Sequence, residues 1–364
     1  MSARRNRRRP NALAVAEIMI ALRSYIGRSD ATTEFERSLA ERLKDGGIGA
    51  DEVEPVIERW DAMPVEVRTR RYGPLAAKEH LSGVEPFDIA SQSRRRPRHA
   101  RVEATNPIIT PRGRVSAGDF DRGAIGAPRD VQGEGAEETP LVEYLVTFEG
   151  IHCIDETGPD WLASDEPFVV TSAIYIDAAG RNKEETLRHP FAGNGQGYYG
   201  NVDSGSTRVG PRAAVWLGTN RSVRLGVSFM TTFVEHTFGD EEEVKATIAT
   251  CVRIAQYVVA VKYPAIGVIA ELEEVREIVV DLVFALLELV GLADTIINEP
   301  TVVVFTFAEL DEMSRTEPTP YLTARGAYTN LRYHFTMSDD EADYIAAFQV
   351  HRTPPLPPTG PVLL

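Results

Sequence analysis

Between Leu141 and His351 apolar residues alternate with partly polar ones in short runs that end at turn-forming residues, with no regular β–α–β rhythm. Val142, Tyr144, Val146 and Phe148 show the spacing of a half-buried strand, because successive side chains of a strand point to opposite faces. This run continues through Ile151, Cys153 and Ile154. Phe168–Ile176 reads as the strand returning from it, so the two form an antiparallel hairpin. Ala213–Leu217, Val223–Val234 and Thr301–Phe307 follow as further strands. Asn330–Met337 and Tyr344–His351 close the series as a hairpin across the acidic turn Ser338–Asp343. The pattern predicts one antiparallel sandwich of seven or eight strands over residues 141–352.

Two helical patterns interrupt that series. Val244–Val261 is apolar on several faces, Lys262-Tyr263-Pro264 breaks it, and a second helix runs from about Ile266 to Leu292. Its stripe is Ile278, Val279, Leu282, Val283, Leu286, Leu287, Leu289 and Val290, with Glu274, Glu277, Asp281 and Glu288 mostly off it. The expectation is an αα-hairpin inserted at about 244–292.

Upstream, residues 1–10 form a basic arm, and residues 11–86 carry three or four short helices. Thr33 and Glu36 have capping-box spacing, Val53, Val56, Ile57 and Trp60 share a face, and Pro64 can open the last helix. A bundle this small is marginal alone and is expected to dock onto something. Residues 87–140 are rich in Arg, Gly, Pro and Glu and read as a linker, with Asn106–Thr110 the best candidate for an extended strand. Residues 353–364 read as a proline-rich tail. The whole is expected to be mainly β with α.

Charge divides the chain. Residues 1–140 hold 24 basic and 22 acidic side chains, and the remainder holds 15 and 32. The acidic part repels nucleic acid and anionic membranes, which leaves the N-terminal arm as the one segment suited to a polyanion. The two cysteines, Cys153 and Cys251, lack a CxxC partner and read as small buried hydrophobes. No signal peptide and no run of 18 uncharged apolar residues is visible, so the expected location is the cytoplasm or a non-classical export route.

The acids cluster. Asp155, Glu156, Asp160, Asp165 and Glu166 crowd the stretch DETGPDWLASDEP, too many like charges for strand pairing, so it reads as a surface loop. Glu235 and Asp240 follow a later strand, and Asp294 follows the second helix. Six to eight oxygens at flexible geometry suit Ca²⁺. Loops that join strands cluster at the two ends of a sandwich, so these eight acids are expected to meet at one end as Ca²⁺ ligands. Asp240–Glu243 also have a purely structural use at a helix N-terminus.

That layout resembles C2 domains, which hold calcium between loops at one edge of an eight-stranded sandwich. The stretch from Leu141 to about Phe307 is also similar to uncharacterised bacterial proteins that pair a D-E-T…S-D-E-P loop with a later acidic, helical insertion. The first likeness implies a calcium-dependent binding module for a membrane surface or a protein partner; the second implies no activity. Two other readings stand beside it. One is a membrane-acting effector using the apolar hairpin. The other is a hydrolase with a carboxylate pair such as Asp155 and Glu235. His152 and His236 flank acids, yet no H-E-x-x-H or G-x-S-x-G pattern occurs, and GNGQGYYGNVDSGSTRVG lacks the P-loop pattern.

Overall fold

The computed structural model describes residues 12–84, 141–156, 165–190, 197–236, 240–262, 273–292, 296–297, 300–315, 319–321, 327–329, 335–338 and 342–353. The basic arm, the 87–140 linker, Asp160, Asp294 and residues 354–364 lie outside them.

Four helices come first: α1 (Ala12–Tyr25), α2 (Glu34–Asp45), α3 (Ala50–Ala62) and α4 (Val65–Tyr72). Helix α2 starts where the sequence placed it. The Glu36 amide donates to Thr33 Oγ1 at 3.3 Å, and the Thr33 amide donates to Glu36 Oε2 at 2.7 Å. Helix α1 is buried at every position from Ala14 to Leu22, the signature of a central helix rather than an amphipathic surface one.

The strands are β1 (Glu143–Asp155), β2 (Pro167–Asp177), β3 (Asn182–His189), β4 (Thr207–Thr219) and β5 (Val223–Glu235). Helices α5 (Glu241–Lys262) and α6 (Glu273–Leu289) come next. The chain ends with β6 (Thr301–Thr306), α7 (Phe307–Arg315), β7 (Thr319–Tyr321), β8 (Ala327–Thr329), β9 (Phe335–Ser338) and β10 (Asp343–Thr353). Two four-stranded sheets form, in the orders β4-β1-β10-β9 and β3-β2-β5-β6, with β7-β8 as a separate ribbon. Every pairing is antiparallel. The closing hairpin is β9–β10, with Ser338 opposite Asp343.

One expected pairing fails. Strands β1 and β2 do not form a hairpin: β1 lies between β4 and β10, and β2 between β3 and β5. The acidic stretch passes from one sheet to the other, and it is far longer than the two to five residues of a tight hairpin loop.

Two apolar cores result. Phe148, Cys153, Val169, Trp216, Phe229, Phe233, Tyr344 and Phe348 fill the space between the sheets. The opposite face of the second sheet, with Phe168, Val170, Ile174, Met230 and Val234, joins a core with residues of α1, α2, α3, α5 and α6. Strand β2 is thus buried on both faces, which explains why FVVTSAIYI is nearly continuously apolar rather than alternating. Helix accounts for 42% and strand for 34% of the described structure, so this is a mixed α and β protein in which helices cover one sheet.

Two elements lie outside the series of strands and helices that the pattern predicts. Strand β3 (NKEETLRH) is a polar edge strand with no apolar alternation to announce it. Helix α7 had a signal in Thr306 and Glu309, where the Thr306 amide donates to Glu309 Oε2 at 2.8 Å and the Glu309 amide to Thr306 Oγ1 at 3.3 Å.

Candidate carboxylate site at one end of the sheets

The end of β1, the start of β2 and the end of β5 meet. Register places Pro167 opposite Glu235 and Cys153 opposite Tyr344. Ile296 bridges Val234, and its neighbour Ile297 donates its amide to the Phe233 carbonyl at 2.9 Å. Segments flanking all three acidic stretches therefore adjoin the same end.

Alternation along β5 sorts its last residues. Phe233 belongs to the inter-sheet core and Val234 to the helix-side core. Glu235 follows the first face and meets the acids at the start of β2. The Glu166 amide donates to Glu235 Oε1 at 3.2 Å, and the His236 amide donates to the Glu166 carbonyl at 3.0 Å. Glu235 Oε2 is buried with no hydrogen-bond partner among the described residues. Burial first, then the charges of Asp165 and Glu166, push the Glu235 carboxyl up to about 7.

Asp165 is buried and fixed twice. Its backbone bridges Val202, and its Oδ2 accepts the Tyr344 hydroxyl. Burial and that hydrogen bond to Asp165 push the Tyr344 phenol far up. Asp165 thereby ties the start of β2 to β10 of the other sheet. Glu156 is buried, with its amide on Ser204 Oγ at 3.2 Å; the same hydroxyl donates to Asp155 Oδ1 at 3.4 Å. Burial pushes the Cys153 thiol up to about 12, and the Cys251 thiol likewise, so neither is primed as a nucleophile.

A second polar knot lies on the helix side of the same end. His236 stacks on Tyr198 at 4.0 Å between ring centres and approaches Glu241 Oε1 at 3.0 Å. The buried Arg188 reaches Glu241 at 3.4 Å, Glu242 at 3.2 Å and the Gly197 carbonyl at 3.2 Å. Asp240 Oδ1 accepts the Glu242 amide at 2.9 Å, the capping use of this residue.

The fold thus brings Asp165, Glu166 and Glu235 together, sets Asp155 and Glu156 nearby on the Ser204 loop, and uses Asp240 to cap α5. Among the described residues no group of three or more His, Cys, Asp or Glu side chains is arranged to hold a metal ion. Tyr344, Ser204 and Arg188 were not anticipated. The periodicity of β10 marks Tyr344 only as a core residue, and Arg188 sits on the strand that polarity concealed. No protein-family model, characterised protein or solved structure matches the chain.

Proposed function

We propose that this end is the ligand face of a calcium-dependent binding module, with a C2-like layout in which Asp155, Glu156, Asp165, Glu166 and Glu235 supply oxygens. The observation that carries the reading is Glu235 Oε2, a buried carboxylate oxygen without a partner among the described residues, beside the charges of Asp165 and Glu166. An oxygen in that setting is relieved by a proton or by a cation, and a hard cation has the higher claim where several oxygens converge. Asp160 and Asp294 are the further ligands this reading draws from the adjoining stretches. Two four-stranded antiparallel sheets with acidic connections at one end support the C2-like layout; the helices inserted between β5 and β6 are foreign to it.

The test is a thermal melt of the chelator-treated protein with EDTA, 1 mM Ca²⁺ or 1 mM Mg²⁺. A site of roughly 10 µM affinity adds about 2.7 kcal/mol at 1 mM Ca²⁺. With about 2.1 cal/mol/K of unfolding entropy per residue over 364 residues, the midpoint rises by about 3–4 °C. Glu235→Gln is expected to abolish the rise. An identical midpoint with Ca²⁺ and EDTA rejects the proposal.

The membrane-acting reading ranks lower. Helix α5 is the one described helix long and apolar enough to cross a bilayer. Yet Ile248, Cys251, Val252, Ile254, Ala255, Val258 and Val259 are all buried, as are Val279, Leu282, Val283, Leu286 and Leu287 of α6. Insertion therefore requires the helical layer to unpack first.

A further inference from the structure

Away from the acidic end, the outer face of the first sheet carries a buried carboxylate on an irregular stretch of its central strand. Both pairings of β1 shift register between Phe148 and Gly150, so Glu149 has no strand partner on either side. The neighbouring Gly150 has φ +150°, and a Cβ there would lie 2.2 Å from the Arg208 carbonyl oxygen. This close backbone approach is open to glycine alone, and the resulting bulge re-aims Glu149. Glu149 is completely buried although Thr147, with which it shares a face, belongs to the outer side of the sheet.

Its contacts define a direction. Arg212 Nε donates to Glu149 Oε2 at 2.6 Å, and the Thr147 hydroxyl donates to Glu149 Oε1 at 2.7 Å. Thr147 Oγ1 also lies 3.1 Å from His351 Nε2 on β10. A hydroxyl has one proton, and a carboxylate held by a guanidinium only accepts. The Thr147 proton goes to Glu149, the nearer acceptor, or to the Gln349 carbonyl oxygen at 3.4 Å, and in either case His351 Nε2 must be the donor to Thr147. Neutral His351 is consequently the Nε2–H tautomer, and its lone pair sits on Nδ1, for which the described residues offer no hydrogen-bond partner.

We propose that Glu149, Thr147 and His351 form a relay that makes His351 Nδ1 a proton-accepting site on the outer face of this sheet, for a ligand that offers an O–H or N–H donor. Glu149 is the positioning residue, acting through the Thr147 hydroxyl; His351 is the group that touches the ligand. Arg212, whose side chain is 62% exposed, stands on the next strand. Its two Nη groups face no described partner, so they are placed to receive an anionic group of the same ligand. The chain of contacts from His351 Nε2 through Thr147 and the Glu149 carboxylate to Arg212 Nε runs along one face of β10, β1 and β4, so the imidazole and the guanidinium lie within the span of a small molecule.

The test uses full-length protein with ¹⁵N-labelled histidine. Two-bond proton–nitrogen spectra at neutral pH, assigned with His351→Gln, are expected to show His351 as the Nε2–H form, and Thr147→Val is expected to remove that preference. Diethyl pyrocarbonate probes the lone pair directly, with acylation at residue 351 followed by peptide mass spectrometry. Glu149→Gln is expected to slow that acylation about threefold or more, because the imidazolium-like transition state loses a nearby negative charge. If Glu149→Gln fails to fold, Thr147→Val leaves the Glu149–Arg212 pair intact and answers the same question. An Nδ1–H tautomer in the wild type overturns the proposal. So does acylation of residue 351 that is equally fast in the wild type and in both variants.

Discussion

Replacing Lys262 with methionine removes a cationic partner of the Glu17 carboxylate inside the helical layer. Glu17 is 3% exposed on the central helix α1, and Lys262 Nζ sits 2.6 Å from its Oε2 at the end of α5, over the Phe35 ring at 4.5 Å. Methionine keeps the length of the stem but removes the ammonium from the pair. Breaking a buried pair from one side costs about 3–5 kcal/mol, whereas replacing both partners with apolar groups is often close to neutral. At about 2.1 cal/mol/K per residue, 4 kcal/mol corresponds to a midpoint lower by about 5 °C. Glu17→Leu combined with Lys262→Met is expected to recover most of that loss, a coupling of 2 kcal/mol or more in the cycle (about half the single-variant cost). Fluorescence can locate the effect. Trp60 lies in the helical layer against Tyr72, and Trp216 lies in the inter-sheet core between Tyr175 and Phe229. In a Trp161→Phe background, variants that retain one of these two tryptophans each should report the same denaturant midpoint. A Lys262→Met loss below about 1 kcal/mol refutes the buried pair as a tie between α1 and α5, and a Trp60 transition well ahead of Trp216 refutes one cooperative unit of helical layer and sheets.

Other perturbations read different parts of the fold. Gly150→Ala and Gly226→Ala each force a Cβ to within 2.2 or 2.1 Å of a carbonyl oxygen on the neighbouring strand, at φ +150° and +153°. Each is expected to cost about 3 kcal/mol or more in urea melts. Burial pushes the Glu184 carboxyl up to about 7, with Arg253 opposing and Glu185 and Glu52 reinforcing the rise. A carboxyl raised in the folded state binds more protons there than in the unfolded chain. Stability therefore falls as pH rises from about 4.5 to 7, by up to about 3 kcal/mol. Glu184→Gln should remove that slope, so the gap between variant and wild type should favour the variant more at pH 8 than at pH 5. His189 is buried against Phe148 at 4.2 Å, neither ring nitrogen has a partner among the described residues, and burial lowers its pKa to about 3. Its neutral form is favoured above pH 6.5 and that advantage is lost as pH falls toward 3. His189→Phe should raise stability by about 1 kcal/mol at pH 7 and by more at pH 5.

Much of this architecture was legible where one periodicity dominates a segment. The alternation of Val142 to Phe148 gave β1, the Thr33–Glu36 spacing gave the start of α2, and the run from Tyr344 to His351 gave β10. Pairing was less legible, because alternation shows which face of a strand is buried but not which strand lies beside it. Phe168–Ile176 fits a hairpin partner of β1 as well as it fits a strand in the other sheet; burial on both faces is what distinguishes them, and it appears only once the helices are placed. Strand β3 stayed hidden because an edge strand of Asn, Lys and Glu satisfies backbone pairing without apolar side chains. The acids were visible as residues but not as neighbours. Asp240 shows the limit: its spacing before Glu242 suits a cap as well as a ligand, and the cap is what the backbone uses.

Strand β5 gives the acidic end a route into the rest of the molecule. Its last residues alternate between the two cores, with Phe233 between the sheets and Val234 under the helices. Glu235 then faces Glu166 and Asp165, while His236 faces Tyr198 and also Glu241, the first residue of α5. A cation that draws Glu235 toward Glu166 acts on the residue adjoining His236, whose Nδ1 lies 3.0 Å from Glu241 Oε1. Glu241 also engages the buried Arg188 of β3, so displacement there disturbs a guanidinium with little access to water. Coupling of this kind has a measurable consequence. If Ca²⁺ binds at Glu235, Arg188→Met should lower Ca²⁺ affinity by titration calorimetry even though Arg188 touches none of the proposed ligands except through Glu241. Substitution of Arg253, which pairs with Glu52 further along α5, should leave that affinity unchanged. Equal affinity in the wild type and Arg188→Met would confine the effect of the cation to the inter-sheet end and break the proposed route through β5.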